Sequence, residues 1–478
     1  MDVKKLINKY YKLGLISLAL SIVLALPIMI QYGKKDAIMF VGSAFFLVLE
    51  ILLLFKDKRL SILLFILSFP ILVIARKFCY FNLFIFKITF ETIYISIAFI
   101  VSFKEIKNII LRLLQNKKSL NFKFIIYTII FLILAVNSSI FSHNVLNSAA
   151  NVYISIIIPI AFILVVLANL SKSDKYYVYY ALIAGLDFSC LYGIAQMRGV
   201  SFSQVKYHRL YLTFGYHNVN IFSAVLILIL PLLFEMILYK KTTIKEKIFL
   251  FISFGLFSLA TYMTYSRGAW LCYLISIGII FISKKYKYVA LLELLAIPIA
   301  FKPVMSKILT RGYVTTSFFM SQSNMARIQS YFTSFVMMVA HPFGIGGGSY
   351  GDMYLKYAEK GYLNMPDLMR ANLQVADYAL EHAHNLFLQI GVEYGIIVMI
   401  LFIAIIVNRL SAVLKDYKHN RGIFAAIIAF IIISVLTGGE FDHKGVITPT
   451  LILWLLFGMT ILNSNGNEQN ANKPNAKK

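Results

Sequence analysis

The chain has 478 residues, 60% of them hydrophobic and only 14% charged, with a mean hydropathy of +0.78. A soluble domain holds about 25% charged residues, and apolar runs of membrane length recur here from the first dozen residues to the last twenty, which excludes an ordinary soluble protein. The formal charge of +25 does not mark a nucleic-acid binder, because the Lys and Arg residues lie in connections between apolar runs, where they report topology.

In chain order, the first apolar run (Lys12–Ile30) lacks an A-x-A-like cleavage pattern and reads as a span, not a signal peptide. Fourteen candidate spans follow one another: 12–30, 36–55, 60–75, 83–102, 123–141, 151–170, 177–197, 219–239, 247–264, 269–283, 287–302, 384–408, 423–437 and 446–462. The runs at 60–75, 269–283, 287–302 and 423–437 are short for a bilayer crossing, so the expectation is an all-α polytopic membrane protein of about 12–14 transmembrane helices. Its parts are N-terminal helices over 1–204, helices with external Arg motifs over 205–302, an external cap loop over 303–383, C-terminal helices over 384–462 and a tail over 463–478. Cys79, Cys190 and Cys272 form neither an even set nor a CxxC, so no disulfide framework or thiolate metal site is expected.

Both tails and the even-numbered connections, such as KDKR (56–59), 103–123 and KKTTIKEK (240–247), carry 29 Lys and Arg, against nine in the short connections on the other side. The positive-inside rule then puts both termini in the cytoplasm and residues 303–383 outside. So long a loop needs structure of its own. Ser321–Ala340 has an amphipathic pattern, Gly361 reads as a helix stop, and Pro366–Asp367 reads as a first helical turn. Between them, HPFGIGGGSYG (341–351) has no GK[ST], so its glycines are taken as permitting tight turns and close backbone approach, not as a nucleotide site.

Four stretches place charge or titratable rings on the side the topology rule disfavours. TYSRGAW (264–270) sets Arg267 at the tip of a turn between two spans, with Gly268 permitting the reversal. A guanidinium there matches phosphate oxygens, or it snorkels to headgroups beside Trp270. VKYHRLYLTFGYHNVN (205–220) offers Arg209, His217, Asn218 and Asn220 around a helix start, either as an anion site or as an aromatic–basic anchor. Arg327, in NMARIQSYF (324–332), opens the main cap helix and is either a substrate contact or an ordinary surface residue. EHAHNLFLQIGVEYG (381–395) sets His382 and His384 before a membrane-length run. Two residues apart is about 200° around a helix, so a helical segment would turn only one ring toward a common point, and the spacing is not the i, i+4 of HExxH. A ring near a helix N-terminus is favoured neutral, as a general base requires. The alternative is a pair of interfacial histidines.

The order YSRGAWL, then R-x-x-x-Y and HPFGIGGGSY in a large loop, then HAHNLFLQIGVEYG, resembles the O-antigen ligase and polysaccharide polymerase family over about residues 205–410. The ligase pattern of a His, then Asn, Ser or Gln, nine residues, Gly, two residues and Gly, Thr or Tyr matches His384, Asn385 and Gly395, and departs at Val398. The resemblance implies a GT-C-like membrane fold with an external site under the cap, and inverting glycan transfer from undecaprenyl diphosphate to an acceptor hydroxyl without a metal or other cofactor. It implies catalytic roles for His384 as base and Arg267 as diphosphate ligand. Arg209, Arg327, His217, Asn385 and His382 would bind substrate. Implied partners are the lipid-linked donor, the glycan acceptor, the bilayer, a chain-length regulator and a flippase, in a bacterial cytoplasmic membrane. Arginines would stand in for a metal beside the leaving diphosphate, and Glu381, Glu440 or Asp442 could orient His384 or an arginine. The Ile/Lys/Asn/Tyr-rich composition favours a polymerase making surface polysaccharide over a ligase. A flippase is the reading from another class. It would need midplane polar residues and internal repeats, whereas the midplane is sparse, with Lys87 and Glu91 on the fourth span, Asp187 on the seventh and Glu293 on the eleventh, and no repeat is seen.

Overall fold

The computed structural model describes residues 3–74, 81–83, 86–201, 204–216, 218–282, 288, 322–371, 380–436 and 446–471. The architecture is all-helical apart from one small hairpin. The helices are α1 (Val3–Tyr32), α2 (Lys34–Leu54), α3 (Lys58–Ile74), α4 (Phe90–Val101), α5 (Phe103–Gln115), α6 (Leu120–Ser138) and α7 (Val145–Asn169). They continue with α8 (Lys175–Gln196), α9 (Val219–Tyr239), α10 (Ile244–Met263) and α11 (Arg267–Phe281). The cap holds α12 (Gln322–Ala340) and α13 (Tyr350–Leu363), and the chain closes with α14 (Leu386–Tyr394), α15 (Ile396–Lys415), α16 (Arg421–Leu436) and α17 (Thr448–Ala471).

Seven described helices are long and apolar enough to cross a membrane: α1, α2, α6, α7, α8, α9 and α15. Four shorter apolar helices, α4, α11, α16 and the Thr448–Asn463 part of α17, lie among them. This is a polytopic all-α membrane protein. Of the fourteen predicted spans, 287–302 lies outside the described residues except for Tyr288, and Glu293, Cys79, Glu440 and Asp442 lie outside them too.

Two predicted spans take another form. The start of 83–102 is an antiparallel hairpin, β1 (Phe81–Leu83) with β2 (Phe86–Ile88), in the register Phe81 opposite Ile88. Lys87 therefore lies on a strand, not on the fourth span. The helix starts only at Phe90, after a capping box in which Thr89 and Thr92 exchange side-chain and backbone bonds of 3.3 and 2.8 Å. The span predicted at 384–408 is split at Gly395, whose φ of +103° ends α14 and starts α15. The connection 103–123 contains the amphipathic helix α5, which buries Ile106 and Leu113. Lys58 pairs with its Glu105 at 2.8 Å and holds that carboxyl below the ordinary carboxylate range.

The centre of the bundle is α9, in which every residue from Ile221 to Met236 is buried. A helix apolar all round belongs in the interior, and α8, α10, α11, α16 and α17 surround it. At the edge, α1 packs on α2 and leaves Leu15, Val23 and Ile30 exposed, as a lipid-facing helix does.

Polar contacts sort the helix ends onto two faces. At one, Lys175 reaches Glu235 at 2.7 Å and the His419 carbonyl, and Glu235 accepts the Gly422 N–H at 2.7 Å. Arg59 pairs with Asp174 there, while Tyr239 and Tyr417 donate to the carbonyls of Ile280 and Ile279, both at 2.8 Å. This face gathers the basic connections. The opposite face carries the cap.

Candidate functional site at the cap end

The first component is the turn between α10 and α11. Thr264 ends α10, Tyr265 takes a left-handed φ of +45°, and Ser266 caps α11 by accepting the Ala269 N–H. Arg267 is then the first helical residue. The reversal expected at Gly268 falls instead on Tyr265; Gly268 sits buried in the first turn of α11. The Thr264 carbonyl is left outward by the helix end, and Arg209 donates to it from Nε at 2.7 Å. Two cationic segments 55 residues apart are thereby joined at one turn.

Arg209 begins a 3-10 turn, Arg209–Tyr211, and also donates to the Asn220 side chain at 3.1 Å. Asn218 caps α9, accepting the N–H groups of Asn220 and Ile221, both at 2.9 Å. These bonds occupy amide donors that the sequence left open to an anion. Phe214, with φ +53°, stacks on Phe222 at 4.0 Å, and its amide is held by Gln196 at 3.0 Å. His217 lies outside the described residues.

The cap is the second component. Its helices α12 and α13 pack closely because Gly361 faces Thr333, where a Cβ would come within 2.4 Å. The loop between them threads into the bundle. Gly344, Gly346 and Gly348 all have positive φ, and a Cβ at these positions would strike the Glu393 carbonyl, Ser142 and Asn151, respectively. Ile345 and Gly346 donate to the carbonyls of Val392 and Glu393 at 3.0 and 2.9 Å, Ile396 donates back to Pro342 at 3.0 Å, and Phe343 stacks on Phe141. The break at Gly395 frees the backbone groups that receive this loop. The expected glycine role, close backbone approach, is the one observed. Tyr350 reaches Ser334 at 2.9 Å, and burial pushes its phenol above the usual range, so it stays neutral.

The third component is the segment before α14. It is not helical. Asn385 caps α14, accepting from Phe387 and Leu388 at 3.0 and 3.2 Å, and His384 has a φ of +53°. The helical premise, on which only one ring would face a common point, therefore does not apply here. The turn places the rings of His382 and His384 together, centroids 4.4 Å apart at 61°. Glu381 is exposed just outside them. Ser330, one turn along α12 from Arg327, donates to the carbonyl between the two histidines at 2.8 Å. This sets the Arg327 turn against the histidine pair.

The components meet across α16. Tyr331 on α12 contacts the His384 carbonyl at 3.3 Å and donates to Val435, at the end of α16, at 2.8 Å. Ala269, two residues after Arg267, packs in one cluster with Ile433, two residues before Val435. α11, which Arg267 opens, thus packs on α16, and Tyr331 bridges the histidine turn to the end of α16. The non-glycine residues of positive φ among those described are Phe214, Tyr265 and His384. Each belongs to one of the candidate segments. Such conformations cost of order 1–3 kcal/mol and collect at functional sites.

Residues 248–403 match the family model described as O-antigen ligase. The chain carries an O-antigen ligase family domain. The match takes in α10, α11, the cap, α14 and the first part of α15, and so includes Arg267, Arg327, His382, His384 and Asn385. Arg209 precedes this O-antigen ligase domain but bonds directly to its Thr264. The comparison with curated proteins found no match. Sequence reasoning carried Tyr331 only as the last position of R-x-x-x-Y, with no role, and missed Ser330 and Gln389. Of those two, Gln389 left a signal, as the polar residue inside LFLQIGV.

Proposed function

We propose that this O-antigen ligase family protein is an inverting membrane glycosyltransferase. It extends a repeat-unit glycan carried on undecaprenyl diphosphate, and it works at the cap end, outside the bacterial cytoplasmic membrane, with both termini in the cytoplasm. The observation that supports this most is the joining of the Arg209 and Arg267 segments at one turn, beside the pairing of the His382 and His384 rings at the start of α14.

In this reading Arg267 and Arg209 bind the diphosphate, with Arg327 assisting from the cap. His384 takes the proton from the acceptor hydroxyl, whose oxygen attacks the anomeric carbon from the face opposite the leaving group. The bond from that carbon to the diphosphate oxygen breaks, and its electron pair stays on the lipid diphosphate. Fixed cations are suited to that developing charge, and a neutral imidazole to the hydroxyl proton. His382 and His217 are substrate-side neighbours. Asn385 acts through the turn that it caps, so its contribution is to hold His384 at the helix start.

Arg267→Ala and His384→Ala are each expected to abolish polymer while the protein still reaches the membrane. Full-length polymer from both variants would overturn the assignment. The second reading is a ligase that moves finished glycan to another acceptor, favoured by the description of the matching family. Product analysis separates the two, since a polymerase leaves lengthened glycan on the carrier lipid.

A further inference from the structure

The histidine pair is held by backbone, not by side-chain contacts alone. Three consecutive peptide planes run from His382 to Asn385, and each plane is rigid. The plane joining His382 to Ala383 is fixed through the Ala383 N–H, which donates to Gln389 Oε1 at 2.7 Å. The plane joining Ala383 to His384 is met at the Ala383 carbonyl by Ser330 Oγ at 2.8 Å, a hydroxyl that is shared with the Arg327 carbonyl at the same distance. The plane joining His384 to Asn385 has its carbonyl 3.3 Å from the Tyr331 hydroxyl, whose shorter bond, 2.8 Å, is to the Val435 carbonyl. Ala383 is fully buried at the middle of this arrangement. The cap helix thus holds the plane before the His384 Cα through Ser330, with Tyr331 set against the plane after it, and Gln389 of α14 holds the plane before that of Ser330.

We propose that Gln389 and Ser330, supported by Tyr331, are positioning residues for His384. They keep its backbone in the left-handed turn that brings its ring against that of His382. The inference rests on His384 being the base. It adds that the cap sets the aim of that base, so that the cap helix belongs to the catalytic apparatus without touching the reacting atoms. A side chain swung from a turn moves by about an ångström when either adjoining plane rotates, and a displacement of that size costs up to roughly 100-fold in rate.

The test uses the full-length protein in liposomes with a lipid-diphosphate oligosaccharide. Gln389→Leu removes the acceptor at nearly constant volume and is expected to lower kcat by roughly 10- to 100-fold with KM within twofold. Gln389→Glu, which keeps an acceptor oxygen at the half-buried position, is expected to restore most of the loss. A Gln389→Leu variant within twofold of wild type in kcat, or a Gln389→Glu variant as impaired as Gln389→Leu, would overturn the proposal. If Gln389→Leu does not fold, Ser330→Ala carries the same expectation from the other plane, and normal kcat there overturns it equally. His384→Ala run alongside separates the two ideas: retained activity removes the base itself, whereas loss there with normal positioning variants removes only this inference.

Discussion

Three arginines of this chain are handled in two different ways. Arg409 of α15 is fully buried, and all five of its N–H groups are used: two on Asn408 Oδ1, and one each on Asn121, Thr460 and the Leu120 carbonyl. Its guanidinium also lies 4.5 Å over Phe124. That residue ties α6, α15 and α17 together and has no donor to spare for a ligand. Arg267 and Arg209 are only partly buried and stand at helix ends. Arg409→Leu leaves four polar partners unmatched at about 1–3 kcal/mol each, so the purified protein should lose several kcal/mol, read as a lower thermal midpoint in detergent. Arg409→Lys, with three donors, should fall between. An unchanged midpoint for Arg409→Leu would show that the clamp is not structural.

At the scale of elements, the cap depends on its glycine loop more than on its helices. Gly346 has φ +94°, and a Cβ there would come within 2.3 Å of the Ser142 Cβ. Gly346→Ala should therefore destabilise cap docking by about 1–3 kcal/mol, seen as faster proteolysis between α12 and α13. Gly255→Ala on α10, where a Cβ meets nothing within 4 Å, should leave the digest unchanged. Equal digests for both variants would mean that the loop does not hold the cap.

The long helices were legible because apolar runs of membrane length have few other solutions. The cap helix was legible because its amphipathic pattern and the following glycines agree. The hairpin at Phe81–Ile88 was not, since in FNLFIFKITF the unbroken apolar LFIF hides the alternation of FKITF, and the stretch runs on into an apolar helix. The split at Gly395 was hidden because a glycine within an apolar run reads as tolerable until Pro342 is brought to it through the chain. The arginines and His384 could be picked out as polar residues on a disfavoured side. The Ser330 contact, spanning 53 residues, has no periodicity that could reveal it.

For the whole molecule, the decisive feature is that polar chemistry is divided between two faces. The basic face builds its charges into packing, as in the buried pair Lys175–Glu235, while the cap face gathers arginines and paired histidines from separate segments. The division predicts sidedness. A cysteine at exposed Glu359 on α13 should react with a membrane-impermeant thiol reagent in intact cells, and one at exposed Lys418 should react only after lysis; Cys190 and Cys272 are buried and should stay silent. The reverse pattern would invert the proposed orientation and put the site on the wrong side for an exported glycan.

The most direct test of the central claim is a reconstitution of the purified protein with a defined undecaprenyl-diphosphate oligosaccharide in the presence of a metal chelator. The account predicts that the wild type lengthens the glycan on its carrier with inverted linkage, and that Arg267→Ala leaves it unchanged. Activity lost in chelator and restored by a divalent metal, or equal products from wild type and Arg267→Ala, would contradict it.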